Sequence, residues 1–136
     1  MTSSDAHRQG CLMVGTKSGK VWGWTKPIFL QNNVEIHHIS AKKGWQCSSH
    51  EHVFKFNLFY VLTGRLLVRT TKDGLNDETI LDPGEMTAIK PGDRHQFEAL
   101  TDCEVLEVYW VELDPGDIKR HDQGGKAKKT KARRQK

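Results

Sequence analysis

From residue 34 onward the chain breaks into short runs of β-branched, aromatic and alternating residues, separated by turn chemistry. VEIHHIS (residues 34–40) is a strand of this kind. NLFYVLT (57–63) and RLLVRTT (65–71) flank Gly64, which reads as a tight hairpin turn. KDGLND (72–77) reads as a loop. ETILD (78–82) and MTAIK (86–90) are short strands, each followed by a Pro-Gly turn. CEVLEVYWVEL (103–113) is the longest run. Its even positions Leu106, Val108 and Trp110 are apolar, whereas its odd positions mix Val105 and Val111 with Glu107 and Tyr109. The even face therefore reads as packing and the odd face as the lining of something polar. No helical period precedes the tail. Short strands at turn spacings of about 8–12 residues predict an all-β sandwich or barrel.

The two ends read differently. Residues 1–20 are polar, with Gly10, Gly15 and Gly19 and no period, and predict a flexible N-terminal arm. GTKSGK (15–20) is not a phosphate loop: it has one residue too few between its glycines, and Val21 stands where Ser or Thr would bind magnesium. The net charge of +4 resides in the final KAKKTKARRQK, which holds seven Lys or Arg and no acid. The rest of the chain is mildly acidic. A disordered basic tail over residues 123–136 is expected, able to meet nucleic acid, an anionic membrane or an acidic partner through charge.

Composition narrows the setting. No apolar stretch approaches the roughly 20 residues of a membrane span. The first ten residues lack the apolar centre of a secretory signal. Cys11, Cys47 and Cys103 are widely spaced and form no CxxC pair. Reduced thiols in a cytoplasmic protein are the expectation.

The candidate chemistry lies in GWQCSSHEHVFKFNLFYVLTG (44–64). His50 and His52, one residue apart on an extended segment, project to the same side. His95 follows a Pro-Gly turn in IKPGDRH, a turn able to swing a second strand across the first. Three neutral imidazoles suit zinc, iron, nickel, copper or manganese.

The spacing of Gly44, His50, His52, Asn57 and Gly64 resembles the first motif of the cupin superfamily, and Gly84, Gly92 and His95 resemble its second. Two positions depart from the pattern: Asn57 stands where glutamate is usual, and Lys90 where proline is. The resemblance implies a double-stranded β-helix, a jelly-roll barrel of antiparallel strands, over residues 21–122. It implies a divalent ion (zinc, manganese, iron or nickel) held by His50, His52 and His95, with Asn57 as the fourth ligand. A neutral Asn57 has two readings: the ion keeps its full double charge, or the metal site has been given up. The resemblance also implies a homodimer, and the apolar side of Leu106, Val108 and Trp110 suits either its interface or the internal core.

VWGW (21–24), HHISAKKG (37–44) and VLEVYWVELDPGDIKRHD (105–122) resemble the C-terminal type II mannose-6-phosphate isomerase domain of bifunctional mannose-1-phosphate guanylyltransferases. That implies an isomerase or epimerase acting on a sugar or sugar phosphate by proton transfer between adjacent carbons. Glu107 is then the candidate base, and Lys55, Tyr109 and Arg94 are candidate substrate contacts. His37 and His38 replace basic residues of that domain, and QGGK (123–126) replaces its arginine-containing turn. Lys55, Lys90, Arg94 and Arg120 remain as cations for a phosphate. Two other classes stay open: a non-catalytic small-molecule-binding or dimerising cupin whose basic tail engages an anionic partner, and a metal-dependent dioxygenase or lyase.

Overall fold

Alternation along the strands decides the fold. In VEIHHISA every second residue, Glu35, His37, Ile39 and Ala41, is buried, and the residues between are half-exposed. A strand with such a pattern must face a second layer. A computed structural model, which describes residues 14–112 and 115–127, shows that layer. Its nine strands are β1 (Ser18–Lys20), β2 (Gly23–Leu30), β3 (Val34–Ala41), β4 (Phe56–Thr63), β5 (Leu66–Lys72), β6 (Leu75–Leu81), β7 (Met86–Ile89), β8 (Arg94–Ala99) and β9 (Cys103–Trp110). They form a six-stranded sheet in the order β1-β2-β3-β9-β4-β7 and a three-stranded sheet in the order β6-β5-β8. Every pairing is antiparallel, and the described residues contain no helix. The expected all-β architecture of antiparallel strands is the one observed.

The inward residues change character along each strand. From one end to the other, β9 turns in Cys103, Val105 and Glu107, and β3 turns in Ala41, Ile39, His37 and Glu35. Strand β4 turns in Val61, Phe59 and Asn57, and β8 turns in Ala99, Phe97 and His95. The cross-strand register aligns these series, so apolar residues collect at one end of the barrel and polar ones at the other. The apolar end is the core, built on Ile39, Phe59, Val61, Leu66, Val68, Phe97 and Val105. Burying each such side chain contributes roughly 1.5–3 kcal/mol, so stability resides at the closed end while the other end is available for chemistry.

Four expectations are corrected or refined. Gly64 is not a hairpin turn: β4 pairs with β7 and β9, β5 pairs with β6 and β8, and Gly64 is the corner where the chain leaves one sheet for the other. The tight hairpin lies instead within the stretch expected to be a loop, where Lys72 pairs with Leu75 around Asp73 and Gly74. Both of those residues have positive φ, as a two-residue turn with right-handed strand twist requires. On β9 the odd positions Cys103, Val105 and Glu107 are buried, as the reading of a polar lining implies, and Leu106, Val108 and Trp110 lie on the half-exposed outer face and not in the internal core. Alternation alone cannot say which face points inward, and here the interior needs a polar group at position 107. Finally, β2 has no clear signature in the sequence, because Pro27 and Lys26 interrupt its pattern, and the sheet absorbs them in an irregularity between Pro27 and Phe29.

At the termini, Ser18–Lys20 of the expected arm pairs with β2 as strand β1, while residues 1–13 lie outside the described residues. The described part of the tail, residues 123–127, is exposed and has no regular element, and residues 128–136 lie outside the description.

The corner at Gly64 carries a specific expectation. Its φ is +87°, and a Cβ there would lie 2.2 Å from the carbonyl oxygen of Asp102. Gly74 has a similar φ of +78°, but a Cβ there meets nothing within 4 Å. Gly74→Ala should therefore cost only the left-handed backbone penalty of about 1–2 kcal/mol. Gly64→Ala should lower the urea midpoint at least twice as far, or abolish folding.

Candidate metal centre and its cavity

The turn at Pro91 and Gly92 brings the strand carrying His95 against the segment carrying His50. Two backbone hydrogen bonds join them, His50 N–H to the His95 carbonyl (3.0 Å) and His95 N–H to the His50 carbonyl (2.8 Å). Gly92 N–H donates to the His52 carbonyl (2.8 Å) and ties the turn to the same segment. The side chains of His50, His52 and His95 converge, with ligand atoms within 4.8 Å of one another. Ring centroids lie 4.5 Å apart for His50 and His95 and 5.1 Å for His50 and His52.

The hydrogen bonding is that of a ligand set. His50 Nδ1 donates to the Ser48 carbonyl (2.9 Å) and His95 Nδ1 to the Asp93 carbonyl (3.1 Å), which leaves each Nε2 with its lone pair for a ligand. Among the described residues, three buried polar side-chain atoms have no hydrogen-bond partner: His52 Nε2, His95 Nε2 and Asn57 Oδ1. Buried atoms of this kind cost free energy unless something satisfies them. A divalent cation fits this set, since three neutral nitrogens and an amide oxygen all present lone pairs. Burial, reinforced by the neighbouring imidazoles and Lys55, lowers the His52 pKa to about 4. Burial is also the main cause lowering that of His95. Both rings stay neutral, the form that binds metal.

Asn57 connects this cluster to a carboxyl group. It is fully buried at the polar end of β4, paired with Tyr109 across β9. Its Nδ2 donates to Glu107 Oε2 (3.4 Å) and to the Val108 carbonyl (3.3 Å). The Tyr109 hydroxyl also donates to Glu107. Burial pushes the Glu107 carboxyl up to about 7, against the opposing pull of these hydrogen bonds and of Lys55 and Lys20. Neither Arg65 nor Arg69 pairs with it: Arg65 pairs with Asp82, and Arg69 with Glu78 and Glu98.

A cavity of about 590 Å³ opens over this polar end. Its walls include Lys20, Trp22, His37, His50, Glu107 and Tyr109. Of the sequence-predicted substrate contacts, Tyr109 lines this cavity. Its ring lies 5.3 Å from that of His52, and Lys55 Nζ lies 4.8 Å from its centroid. Arg94 does not line this cavity. It is exposed, lies on the opposite face of β8 from His95, and borders a separate depression with Arg69, Asn76 and Glu78 that His95 also reaches. Lys20, Trp22 and Cys47 are cavity residues that sequence reasoning misses. Lys20 and Trp22 reach it through β1, which pairs with β2, and the turn that follows; Cys47 reaches it through its backbone bond to Phe97 of β8. His37 points inward and His38 outward to Glu104 (2.8 Å), as alternation requires.

A family model described as a cupin domain matches residues 37–112. No curated protein matches the chain. Among solved structures, KdgF from Halomonas sp. superposes with a TM-score of 0.59 at 20% identity, covering 67% of this chain and 80% of that one. The Bacillus subtilis oxalate decarboxylase, described with Mn(II) centres, gives a TM-score of 0.65 at 17% identity, covering 76% of this chain and 28% of that one. The Lactobacillus farciminis oxalate decarboxylase, in a formate complex, gives 0.66 at 18% identity, covering 74% and 31%. The chain thus spans less than a third of the length of these decarboxylases. At such identities the likeness concerns the fold.

Two outcomes follow from the histidine cluster. Elemental analysis after incubation with a divalent metal should find about one ion per chain in the wild type. His52→Ala and His95→Ala should each lose it while their circular dichroism stays unchanged. In metal-free protein, an unfolded histidine takes up a proton near pH 6.5, whereas folded His52 does not until about 4. The unfolded state therefore binds more protons at this residue between these values, and the His52 contribution to stability falls as pH drops through that window, opposed by Glu107, whose raised folded pKa of about 7 has the opposite sign. The two are separated by difference: urea unfolding of chelator-treated protein should show His52→Gln gaining stability relative to the wild type between pH 7 and 4.5.

Proposed function

The chain belongs to the cupin family, and from that membership we propose that it is a metal-dependent enzyme of the isomerase class, moving a proton between adjacent carbons of a small sugar or sugar phosphate. One observation carries the reading: His50 of the histidine cluster and the buried carboxyl Glu107 line the same cavity, with Asn57 bonded to Glu107 beside it. The resemblance of the flanking segments to mannose-6-phosphate isomerase domains supports the substrate class.

His50, His52, His95 and Asn57 hold the ion. When bound, a divalent ion supplies Lewis-acid polarisation of a substrate carbonyl oxygen. Glu107 is the proton carrier. A carboxyl that titrates at about 7 is divided between its two forms near neutral pH, so it can both take a carbon-bound proton and return it. Asn57 and Tyr109 orient it through their hydrogen bonds. Lys20, on the cavity wall, and Lys55, over the Tyr109 ring, are the cations nearest the site for an anionic substrate. Arg94, on the other side of β8, has no part in this reading.

The homodimer belongs to the same proposal. The outer face of the six-stranded sheet carries one apolar row across five strands, Phe29–Ile36–Val108–Leu58–Ala88. The outer face of the three-stranded sheet instead carries the charged and polar rows Arg69–Glu78–Gln96 and Thr71–Asn76–Arg94. A second copy, related by a two-fold axis, matches such a row with itself. Cys47 and Cys103 are free thiols, in keeping with a cytoplasmic setting.

The activity is tested with zinc- and manganese-loaded protein and a panel of aldoses, ketoses and their 6-phosphates in D2O. Proton NMR should show deuterium entering the carbon next to the carbonyl. Glu107→Gln should lower that exchange at least 100-fold, within the usual range for a lost acid–base group, and leave metal content unchanged. Absence of exchange from every sugar, with oxygen uptake by the iron-loaded protein, would replace this reading with an oxygenase. Light scattering should give a dimer mass for the wild type and a monomer for Val108→Arg.

A further inference from the structure

The wall of the cavity holds a second proton-carrying arrangement. His37 and Glu35 stand two apart on β3, so both project inward, and both are buried. Glu35 Oε1 lies 3.2 Å from His37 Nε2. A carboxylate accepting from one ring nitrogen fixes the tautomer and leaves the other, here Nδ1, for a ligand. The His37 ring meets Tyr109 edge-on at 5.8 Å and lines the cavity beside Glu107. In the register of β3 and β9, His37 and Glu107 are direct partners. Their Cβ atoms therefore stand about 4.5–5.5 Å apart, on the same face of the same sheet.

We propose that His37, positioned by Glu35, is a second catalytic residue that shuttles protons on the substrate oxygens while Glu107 shuttles the carbon-bound proton, and that both act on one face of the substrate. This rests on the proton-transfer reading above and narrows it. Glu107 takes the proton from the carbon next to the carbonyl, and protonated His37 gives its proton to the carbonyl oxygen, producing an enediol. His37 then takes a proton from the neighbouring hydroxyl as Glu107 returns its own to the former carbonyl carbon. Both groups end as they began, and no further reactant is consumed.

Placement on one face selects the reaction type. Inversion at a single carbon needs an acid and a base on opposite faces of the substrate. Strands β5 and β8, in the other sheet, turn inward Leu66, Val68, Thr70, His95, Phe97 and Ala99. Of these only His95 has an ionisable side chain, and it belongs to the metal cluster. The arrangement suits aldose–ketose isomerisation.

The test uses mannose 6-phosphate deuterated at C2, in ordinary water, with metal-loaded protein. The wild type should form the ketose and carry part of the deuterium to C1. His37→Asn should lower kcat at least 100-fold, with KM within threefold and metal content unchanged. Glu35→Gln should lower kcat about tenfold. Imidazole ¹⁵N NMR of the free protein, taken at a pH high enough that the ring is neutral, should show His37 as a single Nε2–H tautomer in the wild type and as a mixture in Glu35→Gln, a change that a purely structural carboxyl would not produce. A His37→Asn enzyme within threefold of wild-type kcat, or a first product inverted at C2, would overturn the proposal. Should the wild type turn over no hexose phosphate, the isomerase reading fails and the NMR alone decides the dyad. In that case identical His37 spectra in wild type and Glu35→Gln overturn it, and the tautomer change sustains it.

Discussion

The carboxamide of Asn57 is the joint of this protein's polar end. Its nitrogen donates to Glu107, and its oxygen is a buried acceptor without a protein partner. A glutamate at this position would bring a second carboxylate against Glu107, in a buried site where like charges repel strongly. An amide removes the repulsion and supplies a donor in its place. The departure from the usual family residue is thus matched by the carboxyl beside it. The substitution and Glu107 are best understood as one unit.

That unit exists because the barrel is apolar at one end and polar at the other. The closed end, around Ile39, Val61, Leu66 and Val105, supplies the burial that holds two sheets together. Glu35, His37, Asn57, His95 and Glu107 can then be buried at the opposite end. Buried polar groups are costly unless they are satisfied, and here they satisfy one another or face the cavity. The raised pKa of Glu107 and the lowered pKa values of His52 and His95 share burial as their leading cause. Desolvation keeps the imidazoles neutral for a cation and keeps the carboxyl protonable near neutral pH.

Much of the site is legible in the sequence. His50 and His52 stand two apart on an extended segment outside the named strands, joined to His95 by an isolated bridge, and the Pro-Gly turn announces the return that brings His95 to them. The turn residues and β-branched runs are enough for an all-β barrel. Gly64 is legible as a position needing unusual backbone but not as a corner. The same left-handed φ serves a hairpin or a sheet-to-sheet crossing, and only the pairing partners of β4 and β5 separate the two. Arg94 adjoins a ligand histidine in the chain, yet adjacency on a strand places it on the far side.

By itself the sequence determined the class of fold, the three-histidine cluster and the unusual amide at position 57, since each rests on spacing and alternation within short segments. Tertiary structure alone decided that the apolar even face of β9 lies outside the core, and that Glu107 lies against Asn57 and beside His37. It also decided that Lys20 and Trp22 line the cavity and that Glu35 bonds to His37 in its wall. The physical reason is that alternation defines two faces but does not orient them. Orientation comes from the second sheet, whose apolar residues require the matching face of the first.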